Sequence, residues 1–225
     1  MSVARPAWPA EAVEPELRAA VAALLDRHPD GVLPIVQAGH PVLRTVSARY
    51  TGQLGDVLPR LLDAMVTTMH AAPGVGLAAP QIGVGLAIAV LEDPGLPAGW
   101  EQTADARERA PLALRTIINP TYDAVGDERR SFYEGCLSVE GYQAVVTRPR
   151  TVRLRAQDEN GAAVDETLSG WPARIVQHET DHLEGALYVD RAETRSLCAT
   201  ATYGALWADE DVPERASAML GFDIA

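Results

Sequence analysis

The sequence predicts an α+β fold in which short antiparallel strands surround a buried C-terminal helix. Three stretches predict it. Residues 57–71 place Leu58, Leu61, Leu62, Met65 and Met69 on one helical stripe. Thr151 to Leu168 alternates Val152, Leu154 and Ala156 with Arg153, Arg155 and Gln157, then reaches Asn160-Gly161, the pattern of a hairpin with a tight turn. Residues 172–184 read as a helix bounded by Pro172 in the first turn and Gly185 just past the end.

The other elements follow in chain order. Residues 1–30 form an N-terminal helical extension, with Leu17, Ala20, Val21, Leu24 and Leu25 at helical spacing and Pro29-Asp30-Gly31 closing it. Ile35 to Leu43 is loop or short strand, broken by Gly39 and Pro41. Pro59 is tolerated in the first turn of the 57–71 helix, and Pro73-Gly74 stops it. Gly85 to Leu91 is an apolar run of strand length, read as buried. Residues 93–113 mix Pro, Gly and charges and predict a surface loop; Leu114 to Asn119 is a further strand. Residues 31–191 make a single catalytic domain. Residues 192–225 are a C-terminal acidic tail, whose Leu206, Trp207, Met219 and Leu220 are available to pack back on the body.

Composition narrows the function. With 225 residues and 47% hydrophobic content, one well-buried core suffices. Thirty-one acidic residues against 19 basic ones give a net charge of -12, which argues against DNA or other nucleic acid as a partner. All 19 basic residues are Arg. Two cysteines are too few for a disulfide-stapled secreted domain. No apolar run approaches membrane-spanning length, and the N-terminus has no signal or transit pattern, so a cytoplasmic protein without membrane partners is expected.

The chemistry centres on Gln177-His178-Glu179-Thr180-Asp181-His182-Leu183-Glu184-Gly185. Histidines four residues apart on a helix share one face, so His178 and His182 can hold one divalent ion while Glu179 reaches a water beside it. This makes 172–184 the metal-binding helix of the fold. The bare pattern also arises by chance, so the rest of the chain must supply a third ligand, an oxyanion donor and a pocket. Cys136, directly after Gly135 in a turn-like segment, offers a thiolate, and two His plus one Cys leave a position open for water, the mark of a catalytic site. Cys198 has no partner pattern. In Gly74-Val75-Gly76-Leu77-Ala78-Ala79-Pro80-Gln81, two glycines allow close backbone approach to a ligand and Gln81 brings an amide donor; the lysine of a phosphate loop is missing.

Gly74–Gln81, Glu134–Ser138 and Gln177–Gly185 resemble the three signature motifs of peptide deformylases, in order, within a resemblance that covers roughly residues 35–190. Glu140 stands where that family often has Pro. The resemblance implies that Cys136, His178 and His182 bind the metal and that Glu179 is the catalytic acid/base. It places the Gln81 amide and the Leu137 backbone N–H at the substrate's oxyanion, and the Gly76 backbone near the peptide. It implies one divalent ion, Fe2+, with Zn2+, Ni2+ or Co2+ able to substitute. The activity it implies is removal of the N-formyl group from formyl-methionine at the start of newly made polypeptides, releasing formate. The partners are then N-formylmethionyl nascent peptides, with at most transient ribosome contact, because an acidic tail repels ribosomal RNA.

Asp181 orients a ligand or forms a structural salt bridge; Glu134 supports the site through backbone hydrogen bonds; Gln177 faces the cleft or packs. Leu77 and Val176 are candidates for a methionine pocket, and His28, His40 and His70 are expected to be solvated. Two rivals remain: a His-Glu-x-x-His peptidase with Glu184 as third ligand, and a binding protein that kept the fold without the catalysis.

Overall fold

The computed structural model describes residues 8–9 and 12–225. Helices α1 (Pro15–Asp26) and α2 (Leu58–Ala71) precede the strands. The strands are β1 (Gly76–Ala78), β2 (Ile88–Asp93), β3 (Leu112–Ala124), β4 (Arg129–Gly135), β5 (Tyr142–Pro149), β6 (Thr151–Gln157), β7 (Ala163–Ser169) and β8 (Cys198–Ala199). Helix α3 (Glu101–Ala106) lies between β2 and β3, α4 (Gly170–Leu183) follows β7, and α5 (Thr200–Leu206) and α6 (Glu214–Leu220) close the chain. Five strands form one antiparallel sheet in the order β1-β2-β3-β6-β7, and β4-β5-β8 form a second. The chain crosses from the small sheet to the large one between Pro149 and Thr151, where Arg150 pairs with Glu108 and Glu128.

The large sheet has a core on each face. Leu61, Met65 and Met69 of α2 meet Ile88, Val90 and Ile118, with Val21 and Leu25 of α1 in the same cluster. On the other face Ile175, Val176 and Leu183 of α4 meet Ala89, Leu91, Ile117 and Leu154. Strand β2 sends alternate residues into both clusters, which is why its sequence is a continuous apolar run. Each fully buried Leu, Ile or Met contributes roughly 1.5–3 kcal/mol relative to exposure.

The expected elements form, with shifted limits. Ala20 is exposed, so the docked stripe of α1 is Leu17, Val21, Leu24 and Leu25. Strand β2 starts at Ile88, because Gly85 and Ala87 spend their backbone groups on Ala48. The segment 93–113 is no plain loop: it holds α3, and Arg109 grips the fully buried Asp93 with two hydrogen bonds of 2.8 and 3.0 Å. Strand β3 runs well past Asn119 through a bulge, where Asn119 has φ +53° and its side chain bonds both backbone groups of Tyr50. Asn tolerates that conformation, and the bulge accommodates Pro120, which has no N–H for a ladder.

The β6–β7 connection spans Asp158–Ala162, not a two-residue turn. Only Gly161 has positive φ there, and the Asp158 carboxylate accepts from the N–H groups of Asn160 and Ala162. Residues after 192 add β8 to the small sheet and bury Trp207 and Phe222 against Val145, while Leu206 and Met219 stay exposed. Among the described residues, no helix is long and apolar enough to cross a membrane.

Candidate active site

Helix α4 carries most of the chemistry. Gly185, at φ +76°, turns the chain away immediately after it, and a Cβ there would sit 2.9 Å from the Arg44 backbone. His178 and His182 face the same side, their rings 5.0 Å apart. A tight turn follows β4, with Val139 N–H donating to the Cys136 carbonyl at 3.0 Å. That turn brings Cys136 Sγ to 3.2 Å from His182 Nε2. One ligand atom from each of Cys136, His178 and His182 lies within 4.8 Å of the other two. A thiolate with two imidazoles is a donor set that divalent Zn or Fe accepts.

Glu134, 6% exposed, stands behind His178. It accepts from His178 Nδ1 at 3.0 Å and from Arg148 at 2.7 and 3.0 Å, and pairs with Arg174. Engaging Nδ1 in this way leaves His178 Nε2 as the atom available for an ion. Burial opposes the charged Glu134, but Arg148, His178 and Arg174 outweigh it and hold its pKa well below the usual carboxylate range. Arg148, 2% exposed, also donates to Asp181 at 2.8 Å, and Asp181 accepts from Arg191 and from the Tyr122 hydroxyl.

Glu179 is 4% exposed, and its Oε2 has no hydrogen-bond partner among the described residues. Burial pushes its pKa up to about 7, against the pull of His178 and Arg148, a value that would suit proton exchange near neutral pH. Gly76 makes this packing possible: a Cβ at that position would lie 2.6 Å from Glu179 Cδ. Gln81 is fixed by its Oε1, which accepts from Ala78 N–H at 2.8 Å. Its Nε2 is thereby aimed at Ser138 Oγ (3.2 Å) and Cys136 Sγ (3.6 Å). The Leu137 N–H has no acceptor among the described residues. A cleft of about 880 Å³ opens over these groups, with Val75, Leu137, Trp171 and Ile175 among its apolar walls.

Residues 32–197 match the polypeptide deformylase family model. The chain is 56% identical to peptide deformylase 3 of Streptomyces avermitilis over 215 residues, 92% of this chain and 94% of that one. The chain belongs to the peptide deformylase family. It is also 40% identical over 170 residues to the human mitochondrial peptide deformylase, across 72% of this chain and 69% of that one. The Met-Ala-Ser-bound class I type b peptide deformylase of Acinetobacter baumannii superposes with a TM-score of 0.63 at 31% identity, covering 71% of this chain and 98% of that one. Peptide deformylases are metal-dependent hydrolases that remove the N-formyl group from formyl-methionine peptides, and this chain is such an enzyme.

Within this deformylase the geometry decides among the readings left open for the supporting residues. Leu77 and Val176 lie in the core, so neither forms a methionine pocket. Trp171, Arg174 and Ile175 line the cleft instead. They sit seven, four and three residues before His178, on its own helix face, so helical phase was a signal for them. Glu134 is bonded by side chains, not by backbone. Gln177 packs, donating to Pro149 O and Ala173 O, and Asp181 is the salt-bridge residue. Glu184 is exposed and lies outside the ligand triangle. His40 caps the turn at Pro41–Arg44, and His70 pairs with Glu92. Arg148 carried no signal: its burial depends on partners 14 and 33 residues away.

Replacing Glu134 by Gln removes the charge that two buried guanidiniums share. Glu134→Gln is expected to lower stability by about 3–5 kcal/mol, read by urea unfolding. A loss under ~1 kcal/mol would show that the Arg148–Asp181 pair satisfies the cluster alone.

Proposed function

We propose that Cys136, His178 and His182 hold one divalent ion, that Glu179 is the acid/base, and that the Gln81 amide and Leu137 N–H receive the substrate's oxyanion. The convergence of one sulfur and two imidazoles beside an unpartnered buried carboxylate carries this reading. An ion held there supplies Lewis acidity and makes water nucleophilic near neutral pH. Glu179 accepts the proton of the attacking water and returns it to the departing α-amine as the formyl C–N bond breaks, leaving formate and a free N-terminus. Gln81 and Leu137 donate to the carbonyl oxygen as it gains charge, an arrangement in which one donor is typically worth about 10²–10³ in rate. Glycine at 76 lets the peptide backbone run against β1. A formyl carbon carries only hydrogen, so a cramped site admits it and excludes larger acyl groups.

The ion in the cell is Fe2+, with Zn2+, Ni2+ or Co2+ able to substitute; the soft donor set supports this range. The enzyme works in the cytoplasm on nascent chains, touching the ribosome transiently, since its net charge of -12 opposes a lasting hold on RNA. The test is metal analysis combined with formate release from a formyl-Met peptide, on protein purified without oxygen. Iron near one equivalent, with activity that decays in air, is expected. Zinc alone with full, air-stable activity would overturn the assignment of iron.

A further inference from the structure

The sequence places residues 192–225 outside the catalytic domain, yet two walls of the cleft rest on them. Strand β8 extends β5, pairing Ala199 with Tyr142 and Cys198 with Gln143, and Thr200 N–H donates to the Gly141 carbonyl at 2.9 Å. This carries Thr200 into the cleft lining beside Gly141 and Tyr142. Tyr133, another lining residue, lies 4.9 Å from the Tyr203 ring of α5, in a cluster closed by Trp207.

The second wall is Trp171. The Arg107 guanidinium stacks over it at 5.7 Å. Arg107 is itself held from the tail, donating to the carbonyls of Glu210 (3.3 Å) and Asp211 (3.4 Å). Thr103 donates to the Asp211 carboxylate at 2.5 Å, tying α3 to the same stretch. The far end is fixed too: Ala225 N–H donates to Ser131 Oγ of β4 at 2.9 Å. The tail is thus tied to the body at β5, at Thr103 and Arg107, and at β4.

We infer that the segment Cys198–Asp211 sets the shape of the substrate cleft, with Thr200 in its wall and with Tyr203 and Arg107 as positioning residues that hold Tyr133 and Trp171. The inference rests on the deformylase reading of the cleft. It explains why an acidic tail buries Trp207: the burial fixes a wall and not merely the chain end.

The test compares Tyr203→Ala, Tyr203→Phe and Thr200→Trp with the parent enzyme. Readouts are kcat and KM for a formyl-Met tripeptide, the preference for Met over Phe at the first residue, metal content, and calorimetric binding of Met-Ala-Ser. Tyr203→Ala is expected to raise KM and weaken Met-Ala-Ser binding about tenfold, and to narrow the preference for Met, with kcat and metal content within about twofold of the parent. Tyr203→Phe keeps the ring and should match the parent. Thr200→Trp, at an exposed position where folding is not at stake, should weaken tripeptide binding by itself. Unchanged KM, binding and preference in Thr200→Trp and in folded Tyr203→Ala would overturn the inference. A parent enzyme that binds Met-Ala-Ser but releases no formate would instead count against the deformylase mechanism and leave the tail test readable by calorimetry.

Discussion

Cys136→Ala is expected to give a folded protein that holds no metal and releases formate no faster than metal-free parent enzyme. Cys136 packs against the small cluster of Ala144, Val146 and Tyr188, so its loss removes one small group from a satellite cluster and leaves both main cores intact. The site, however, falls from three protein ligands to two. Metal-to-protein ratio after anaerobic purification, beside circular dichroism for folding, is the measurement. A peptidase built on His178, His182 and Glu184 would keep its ion in this variant. The exposure of Glu184 argues against that outcome, and full metal retention would establish it.

Glu179→Gln should retain the ion and lose about 10²–10⁴ in kcat. The amide fills the same volume under Gly76, where no side chain intrudes, so geometry is preserved while proton acceptance is abolished. Equal metal content in parent and variant, measured together with the rate of formate release, isolates the proton-transfer role. A variant keeping more than a tenth of the parent kcat would move that role to another group.

The elements legible in the sequence were those whose pattern is local. The α2 stripe, the β6–β7 alternation and the Pro172-to-Gly185 limits of α4 depend only on spacing along the chain. The three residues that converge, Cys136, His178 and His182, were legible because each lies in a short motif. What stayed hidden depends on distant compensation. Arg148 had no local signal, since only Glu134 and Asp181, distant along the chain, close around it. Asn119 and Pro120 look like the end of a strand, since the bulge that carries β3 past them is held by Tyr50, 69 residues away along the chain. Where the tail packs was hidden because its partners, Ser131, Gly141 and Val145, precede it by roughly fifty positions or more. Of the two readings open for Leu77 and Val176, the core one holds: Leu77 lies on β1 in the α2 core, and Val176 is off the histidine face of α4 that Trp171 and Ile175 share.

The three residues proposed to hold the ion come from different sheets' territory. Cys136 hangs from the end of β4, while His178 and His182 ride on the helix packed over the larger sheet. An ion shared by them would also be a tie between those two halves, present in the native chain and absent once it unfolds. Its binding free energy therefore adds to the resistance of the fold, by about 4 kcal/mol when free ion exceeds the dissociation constant a thousandfold. Melting temperature becomes a gauge of occupancy, and a cell short of metal would lose enzyme to unfolding as well as to idleness.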